Sequence, residues 1–314
     1  MAQQANHPLP NGHRLEEYTI DRQLSLGGFS IVYLATDAEG KMVAIKEYLP
    51  NSLALRGKDE IKPLITGDHL GAFRYGMKCF FEEGRALARL SHPNVIRVLN
   101  FFRANDTVYM VMEYEHGRTL QEFIQKHQGH ISERFIRGLF TRMLNGLREV
   151  HSHKLLHLDL KPSNIYLRSD NTPVLIDFGA ARQTLATDQP MLKPMYTPGF
   201  ASPEHYGARI DLGPWSDIYS VGASMYACLA GVAPQAADSR LKKDTLAPAM
   251  VRWDGQFSDR LLEIIDWCLN LNHLYRPQSV FALQKALVET ITPPSPKASP
   301  NWLGRMVEKL RKPI

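Results

Sequence analysis

Residues 157–164 read His-Leu-Asp-Leu-Lys-Pro-Ser-Asn, and Asp-Phe-Gly at residues 177–179 begins thirteen positions after the asparagine of this string. Asp159 can accept or orient the proton of an attacking hydroxyl, and Lys161 can neutralise negative charge beside it. Asn164 offers an amide oxygen and the second string a carboxylate, and both are oxygen ligands that Mg²⁺ takes. Each residue is common in loops, but chance agreement of the whole set is remote. The set indicates a phosphoryl-transfer site.

These two strings resemble the catalytic core of the eukaryotic-type protein kinases. The lysine–proline pair at residues 161–162 is typical of the Ser/Thr branch, and the resemblance covers residues 18–291. It implies an enzyme that transfers the γ-phosphoryl group of ATP to Ser/Thr hydroxyls of protein substrates, with Mg²⁺, or alternatively Mn²⁺, as the metal. The implied catalytic residues are Asp159, Lys161, Asn164 and Lys46, and the implied metal ligands are Asn164 and Asp177.

Lys46 closes a short apolar run, Val-Ala-Ile, and matches the V-A-I-K pattern of the family. The resemblance implies that its ammonium binds the α- and β-phosphates and that a glutamate on a helix holds it. Glu83 is the best match for that glutamate, and the neighbouring Glu82 is the alternative. The spacing of 37 positions from Lys46 to Glu83 is longer than usual for the family. The extra segment, residues 48–74 (the insertion), begins within a Lys-Glu-Tyr-Leu-Pro string (residues 46–50) that resembles bacterial, Hanks-type members.

The phosphate-covering loop departs from the family pattern G-x-G-x-x-G-x-V. Residues 25–32 read Ser-Leu-Gly-Gly-Phe-Ser-Ile-Val, so Ser25 and Ser30 take the places of the first and third glycines. Gly27 keeps the middle place, where close approach of the backbone to phosphate matters most. We therefore expect nucleotide binding to survive. The nucleotide-contacting residues that the resemblance implies are Leu26, Gly27, Gly28, Phe29, Ser30, Val32, Ala44, Lys46, Glu83, Met112, Glu113 and Glu115.

The last three of these residues belong to a Met-Glu-Tyr-Glu string that resembles the hinge between the lobes. Backbone groups of Glu113 and Glu115 would bond adenine, and Met112 would lie at the back of the pocket. A plain connection between the lobes is the simpler interpretation of this string, and both can hold together.

Residues 197–204, Thr-Pro-Gly-Phe-Ala-Ser-Pro-Glu, resemble the end of an activation segment, with serine in place of the usual alanine. The resemblance implies that Thr197 contacts the catalytic aspartate and lysine. It also implies a buried ion pair between Glu204 and Arg276, and contacts from Asp217 to the catalytic-loop backbone. We expect these charges to be architectural, because buried charges of this kind must be paired.

Leu158 stands where most such kinases carry an arginine that receives the phosphate of a phosphorylated activation segment. Leucine cannot form a charge-assisted pair. We therefore hypothesise that phosphorylation of the segment is not required for basic activity. The candidate phosphorylation sites are Thr184, Thr187, Tyr196 and Thr197.

Composition limits the other classes of function. The 314 residues are 44% hydrophobic and 22% charged, which favours neither disorder nor a disulfide scaffold. The net charge of +5 is modest and favours a solvated surface over a nucleic-acid-binding face. No apolar run approaches the roughly 18–20 residues of a membrane span. The three cysteines lack metal-ligand spacing, which predicts reduced thiols in a cytoplasmic protein.

Strand-like runs precede helical ones, which predicts an α+β chain with the bilobal protein kinase fold. A small, mainly antiparallel β N-lobe would hold one key helix, at about residues 79–90, and the larger C-lobe would be mainly helical. Further helices are predicted after an N-cap at Ser132 and over residues 216–230 and 259–269. The predicted divisions are a flexible lead-in at 1–14, a kinase domain at 15–291 (N-lobe 15–113, C-lobe 114–291), a Pro-rich linker at 292–300 and a basic amphipathic tail helix at 301–314.

The tail is expected to dock on its own domain or to lead to a partner, and a membrane-surface contact is the minority alternative. Two other functions compete with an active kinase. The altered glycine loop and Leu158 favour a pseudokinase scaffold that only binds nucleotide, but the complete set of catalytic residues argues against it. A small-molecule kinase of related fold is disfavoured by the lysine–proline pair and by residues 197–204, which resemble a docking element for protein substrates.

Overall fold

Strands dominate the first third of the chain, where short β-branched and apolar runs predict them. The computed structural model describes residues 6–128, 130–178, 196–207 and 211–289. Six antiparallel strands form one sheet in the order β1-β2-β3-β4-β6-β5. They are β1 (Arg14–Leu15), β2 (Tyr18–Leu26), β3 (Ser30–Thr36), β4 (Met42–Tyr48), β5 (Val98–Ala104) and β6 (Thr107–Glu113). Helix α1 (Gly67–Leu87) packs against β5 and β6.

Helices dominate the rest of the described chain and form the second lobe, so the predicted α+β, bilobal architecture is confirmed. The helices are α2 (Leu120–Lys126), α3 (Glu133–Ser152), α4 (Pro214–Ala230), α5 (Ala237–Lys242), α6 (Ala249–Arg252), α7 (Asp259–Cys268) and α8 (Val280–Val288). A small sheet of β7 (Gly117–Thr119), β8 (Ile165–Arg168) and β9 (Pro173–Leu175) lies at the junction with the first lobe. The predicted linker and tail at 292–314 lie outside the described residues.

The register of β4 places neighbouring residues on opposite faces of the large sheet. Lys46 pairs with Val32 of β3 and with Met110 of β6, and Ala44 pairs with Met112. Because side chains alternate along a strand, Lys46 faces the cleft between the lobes whereas Glu47 faces the outer side of the sheet. Adjacent charges on β4 therefore serve two separate environments.

Helix α1 begins twelve residues before the predicted start at residue 79. Its buried residues follow three- and four-residue steps through Phe73, Met77, Phe80, Gly84 and Leu87. Glycines in the first turns weaken the helical signal of the sequence, because glycine has low helix propensity. Packing of the apolar face overrides that propensity. The last eight residues of the extra segment, 67–74, are thus an N-terminal extension of the helix.

Residues 6–14 are packed onto the N-lobe, which corrects the predicted flexible lead-in (1–14) for that part of its range, and residues 1–5 lie outside the described residues. Leu9 and Asn6 are buried, with 1% and 2% of their surfaces exposed. The Asn6 amide nitrogen donates to Asn51 Oδ1 at 2.7 Å, and its oxygen accepts from the Arg56 backbone N–H at 2.6 Å. The lead-in and the inserted segment therefore bury each other's polar groups, a long-range contact that local composition does not reveal.

A closed cluster of charges lies under this insertion. The Arg56 guanidinium donates to both carboxylate oxygens of Glu47 at 2.6 and 2.7 Å. The hydroxyls of Tyr33 and Tyr109 donate to the same carboxylate at 2.6 and 2.7 Å. Both charged side chains are fully buried. The insertion is thus tied to the outer face of β4 by a fully hydrogen-bonded ion pair.

The three helices that the sequence predicts in the C-lobe (α3, α4 and α7) begin at the predicted residue or within two residues of it. Ser132 caps α3, because its hydroxyl accepts from the backbone N–H of Phe135 at 3.3 Å. The buried residues of α3 recur at three- and four-residue steps and form one apolar face. Helix α4 starts with Pro214 at its first position, two residues earlier than predicted, and is buried on nearly all sides. It forms the centre of the C-lobe.

All three cysteines are free thiols. Cys228 and Cys268 are buried in the C-lobe, and burial raises the pKa of both. Cys79 is half-buried on α1. Within the described ranges, no helix combines the length and apolar character that crossing a membrane requires.

Candidate active site

Asp159 lies in a triangle of hydrogen bonds with Lys161 and Thr197. The Lys161 ammonium donates to Asp159 Oδ2 at 2.7 Å and to Thr197 Oγ1 at 2.7 Å. The Thr197 hydroxyl donates to Asp159 Oδ1 at 2.9 Å. About a fifth of each charged side chain is exposed, so the carboxylate is held firmly yet remains open to the cleft. The structure brings together the three residues that the sequence assigned to this contact.

Asn164 is turned toward Asp159 by its side-chain amide. Its Nδ2 donates to the Asp159 backbone oxygen at 2.8 Å and to Asp159 Oδ2 at 3.2 Å. The amide oxygen Oδ1 accepts from the Ser163 hydroxyl at 3.4 Å. The Ile176 backbone N–H donates to the Asn164 backbone oxygen at 3.0 Å, which fixes Asp177 beside the catalytic loop.

The catalytic loop passes through a strained residue at Leu158. Its φ of 60° is unusual for a residue with a bulky side chain, and such a conformation costs about 1–3 kcal/mol. The Asp217 carboxylate accepts from the backbone N–H groups of His157 and Leu158 at 2.9 and 2.8 Å. It also contacts His151 Nε2 at 2.7 Å. The contacts of Asp217 to the catalytic-loop backbone are thus present, and they help to hold the strained loop.

Asp217 remains a carboxylate although it is fully buried. Burial raises its pKa, but the hydrogen bond and charge of His151, with further contributions from His157, outweigh burial and hold the pKa below its usual value. Glu204 and Arg276 form the buried ion pair that the resemblance implies, with 2.9 Å between Oε1 and Nη1. Both pairs lie beneath the site rather than in the cleft.

Lys46 pairs with Asp177, whereas the resemblance implied a pair with Glu83. The Lys46 ammonium lies 2.6 Å from Asp177 Oδ1, and no Lys46–Glu83 ion pair occurs among the described residues. Burial lowers the pKa of Lys46, but attraction to Asp177 and Glu83 outweighs this effect, so the pKa is raised. The charge of Lys46 lowers the pKa of Asp177 to about 2.

Glu83 lies close to Lys46 without contacting it. Its Oε1 is buried and has no hydrogen-bond partner among the described residues. Burial raises the pKa of Glu83 to about 8, although the charge of Lys46 opposes the change. A carboxyl with this pKa is mostly protonated at neutral pH, so Asp177 is the charged carboxylate that pairs with Lys46 here. Neighbouring Glu82, the alternative in the sequence, is exposed.

The arrangement of Asn164 and Asp177 fits a magnesium site. Both supply oxygen, and 45% of the Asp177 side chain is exposed to the cleft. In the described part of the chain no group of three or more His, Cys, Asp or Glu side chains could hold a metal unaided. Mg²⁺ commonly binds through one or two protein oxygens plus substrate phosphates and water. The residues present suit a metal that arrives with a nucleotide.

The loop between β2 and β3 forms a tight turn whose backbone is fixed on one side. The Gly27 N–H donates to the Ser30 backbone oxygen at 2.9 Å. The backbone oxygens of Gly28 and Phe29 accept from the N–H groups of Asn51 and Leu49, each at 2.9 Å. A Cβ built at Gly27 would lie 3.3 Å from the Ser30 oxygen, so the turn leaves little room for a side chain there. The insertion therefore supports the phosphate-covering loop.

The remaining predicted nucleotide contacts lie on the strands that border this loop. Leu26, at the end of β2, is 42% exposed, and Val32 and Ala44 lie on β3 and β4. Met112 and Glu113 end β6, at the start of the link to the C-lobe. The side chain of Glu115 contacts Arg168 Nε at 2.7 Å, which leaves its backbone groups as the predicted adenine contacts.

The contacts of His205 were not predicted from the sequence. This residue is buried and connects the end of the activation segment with the catalytic loop. The signal for it was the serine that replaces alanine at residue 202, three positions before a histidine. Two other predicted sites, Thr184 and Thr187, lie outside the described residues.

Comparison with known proteins identifies the family. The sequence profile described as protein kinase domain matches residues 18–288. The chain is 32% identical to the serine/threonine-protein kinase Nek2 of Homo sapiens over 243 residues, which is 73% of this chain and 54% of Nek2. It is 28% identical to the serine/threonine-protein kinase PLK4 of Drosophila willistoni over 230 residues, 71% of this chain and 26% of PLK4. The chain thus spans about a quarter to a half of these curated relatives.

A solved structure, PpkA-294 in its apo form, has a TM-score of 0.77 to this chain at 34% identity. The match covers 89% of this chain and 99% of that one. The family profile, the relatives and the shared fold agree with the catalytic strings from which the resemblance was inferred. The chain belongs to the eukaryotic-type Ser/Thr protein kinase family.

Proposed function

We propose that the protein is an active Ser/Thr kinase that transfers the γ-phosphoryl group of ATP to hydroxyls of protein substrates. The observation that carries the proposal is the Asp159–Lys161–Thr197 triangle with Asn164 beside it. Phosphoryl transfer depends mainly on positioning and on neutralising charge, and this arrangement supplies both. The completeness of the set supports an enzyme over a pseudokinase scaffold.

In the proposed reaction the substrate hydroxyl oxygen forms a bond to the γ-phosphorus, and the bond from that phosphorus to the β-bridging oxygen breaks, releasing ADP. Asp159 orients the hydroxyl and takes its proton. Lys161, already 2.7 Å from Asp159 Oδ2, neutralises charge on the phosphoryl group in transfer. Thr197 holds both side chains in place. Mg²⁺, when bound, neutralises the phosphate oxygens.

Lys46, Asn164 and Asp177 would hold the nucleotide and its metal. Lys46 would contact the α- and β-phosphates, and its present contact with Asp177 keeps the ammonium in the cleft. Asn164 Oδ1 and the Asp177 carboxylate would ligate Mg²⁺, with Mn²⁺ as an alternative. Residues 26–30 would cover the phosphates, and backbone groups of Glu113 and Glu115 would bond adenine.

We further propose that the kinase acts in bacterial signalling in the cytoplasm. The Lys-Glu-Tyr-Leu-Pro string at residues 46–50, which resembles bacterial members, and the free thiols support this assignment. The kinase domain would occupy residues 15–291, with the division between lobes at residues 113–114. The amphipathic tail at 301–314 would dock on its own domain or a partner, or on a membrane surface.

The test compares wild-type protein with Asp159→Ala in the presence of γ-labelled ATP, Mg²⁺ and a generic protein substrate. We expect wild type to transfer label and Asp159→Ala to lower the rate by about 10²–10⁴-fold. Asp170→Ala is the matched control, because it removes an exposed loop aspartate from the same lobe. Nucleotide binding without transfer by wild type would favour the scaffold. An Asp159→Ala rate equal to wild type would refute the assignment of Asp159.

A further inference from the structure

A buried histidine joins the end of the activation segment to the catalytic loop. His205 Nε2 lies 3.0 Å from the backbone oxygen of Leu158, and His205 Nδ1 lies 2.9 Å from the hydroxyl oxygen of Ser202. Ser202 is fully buried, and 9% of His205 is exposed. All three residues lie in the described chain, and none of these atoms belongs to the catalytic triangle.

The two contacts determine which nitrogen of the His205 ring carries the hydrogen. A backbone oxygen can only accept, so Nε2 must carry a hydrogen and donate it to Leu158. In the neutral ring Nδ1 is then an acceptor, and the Ser202 hydroxyl donates to it. Burial lowers the pKa of His205, although Asp217 and Glu204 oppose the change, and this favours the neutral ring. A serine at the start of a helical turn usually caps it, but here the hydroxyl serves the histidine instead.

The histidine completes the support of a strained residue. Leu158 has a φ of 60°, and its N–H donates to Asp217 at 2.8 Å. Its carbonyl oxygen belongs to the peptide that leads directly into Asp159, and His205 holds that oxygen. The two peptide planes around Leu158 are thus fixed from two different elements, α4 and the activation-segment end. Strained conformations persist where the surroundings determine them in this way.

We propose that His205, oriented by Ser202, is a positioning residue that sets the direction of the Asp159 carboxylate without any phosphate on the activation segment. The inference rests on the proposed kinase function. Leu158 cannot receive a phosphate, so the link that the resemblance assigns to an arginine side chain is made here to a backbone oxygen. Ser202, which replaces the usual alanine, is part of the same contact because its hydroxyl orients the His205 ring.

The experiment compares three variants at His205 for kcat and for the KM of ATP and of a peptide substrate. In His205→Gln the amide nitrogen reaches about as far as Nε2 and can still donate, whereas the shorter amide of His205→Asn cannot and His205→Leu has no donor. We expect His205→Gln to stay within about 3-fold of wild type. His205→Asn and His205→Leu should lower kcat by about 10- to 100-fold, with KM for ATP changed by less than about 2-fold.

Ser202→Ala removes only the hydrogen bond to Nδ1, and we expect kcat to fall about 5-fold. Ser224→Ala is its control, because Ser224 is also fully buried but donates to a carbonyl within α4. Thermal unfolding of each variant shows whether it is folded. If His205→Leu does not fold, the comparison of His205→Gln with His205→Asn and the effect of Ser202→Ala decide the matter.

Wild-type kcat in folded His205→Leu, or equal losses in folded His205→Gln and His205→Leu, would overturn the positioning role. A rise in KM for ATP at unchanged kcat would do so as well. A wild-type protein that transfers no phosphate under any condition would instead refute the proposed function. The two failures are therefore distinguishable in one set of measurements.

Discussion

Lys46 and Glu47 are neighbours on strand β4, but they lie on opposite faces of the sheet and differ in how completely their charges are paired. Glu47 is sealed with Arg56, and each of its carboxylate oxygens accepts two hydrogen bonds. Lys46 faces the cleft, where its partner Asp177 is 45% exposed and Glu83 nearby lacks a partner within the described chain. One cluster is complete and the other is not.

The difference shows how one lobe separates stability from function. Removing one partner of a buried ion pair leaves an uncompensated charge, so loss of either Glu47 or Arg56 should destabilise the fold. Under the proposed function, the charges in the cleft must instead change partners when phosphates and a metal bind. Groups with perturbed pKa values collect at such sites, as Glu83 and Asp177 do here.

The largest effect on stability is expected from Arg56→Met. This change leaves the Glu47 carboxylate buried without its ion partner, and we expect the free energy of unfolding to fall by about 3–5 kcal/mol. Urea unfolding followed by circular dichroism measures it. Lys46→Met is the matched comparison on the other face of the strand. It should abolish most phosphoryl transfer yet cost much less stability, because water reaches Asp177.

A fall of less than about 1 kcal/mol in the free energy of unfolding of Arg56→Met, the range of an exposed ion pair, would contradict this expectation. An equal destabilisation by Lys46→Met would contradict it as well. The double variant Glu47→Gln with Arg56→Met sharpens the result. Because it removes both buried charges, it should recover part of the lost stability.

The next effect is a pH dependence of stability that comes from Glu83. A glutamate carboxyl ionises near pH 4.5 in the unfolded chain and at about pH 8 in the folded protein. Between these values the folded state keeps a proton that the unfolded state has lost. The stabilisation by this group is therefore fully present below about pH 4.5 and is lost as the pH rises toward about 8.

Thermal unfolding of the nucleotide-free protein between pH 5 and pH 9 should show this effect. We expect the Tm of wild type to fall relative to that of Glu83→Gln as the pH rises, because glutamine does not titrate. Glu82→Gln, on the adjacent exposed side chain, should keep a constant difference from wild type. A constant difference for Glu83→Gln too would mean that its carboxyl is already ionised at pH 5.

The smallest effect is expected at the activation segment. Thr184→Ala and Thr187→Ala should each leave the activity of freshly dephosphorylated enzyme within about 2-fold of wild type, because Leu158 has no charge to receive a phosphate. The γ-labelled ATP assay measures this. A collapse of activity that phosphomimetic glutamates restore would contradict the expectation. Thr197→Ala is less informative, since its hydroxyl contacts Asp159 and Lys161.

The residues of the catalytic loop could be predicted from sequence because they stand in one short string with fixed spacing. Asp159, Lys161 and Asn164 lie within six positions, so their local geometry follows from one loop. The contacts of Thr197 also followed from the family resemblance. Family membership and the bilobal fold were likewise predicted from the resemblance that these strings carry.

The features that were not predicted from the sequence depend on packing between segments that are distant in the chain. The burial of Asn6 relies on Asn51 and Arg56, which lie 45 and 50 positions away. The early start of α1 depends on tertiary packing that overrides weak helix propensity. The choice of Lys46 between Asp177 and Glu83 depends on desolvation, which only the folded structure determines.

The three cysteines differ in burial, which allows one of them to be labelled selectively. Thiols react as thiolates, so burial and raised pKa make Cys228 and Cys268 slow to alkylate. Cys79 is half-buried on α1, one helical turn before Glu83. A fluorophore attached at this single residue, without removing the other two thiols, would report in real time whether the helix shifts when nucleotide enters the cleft.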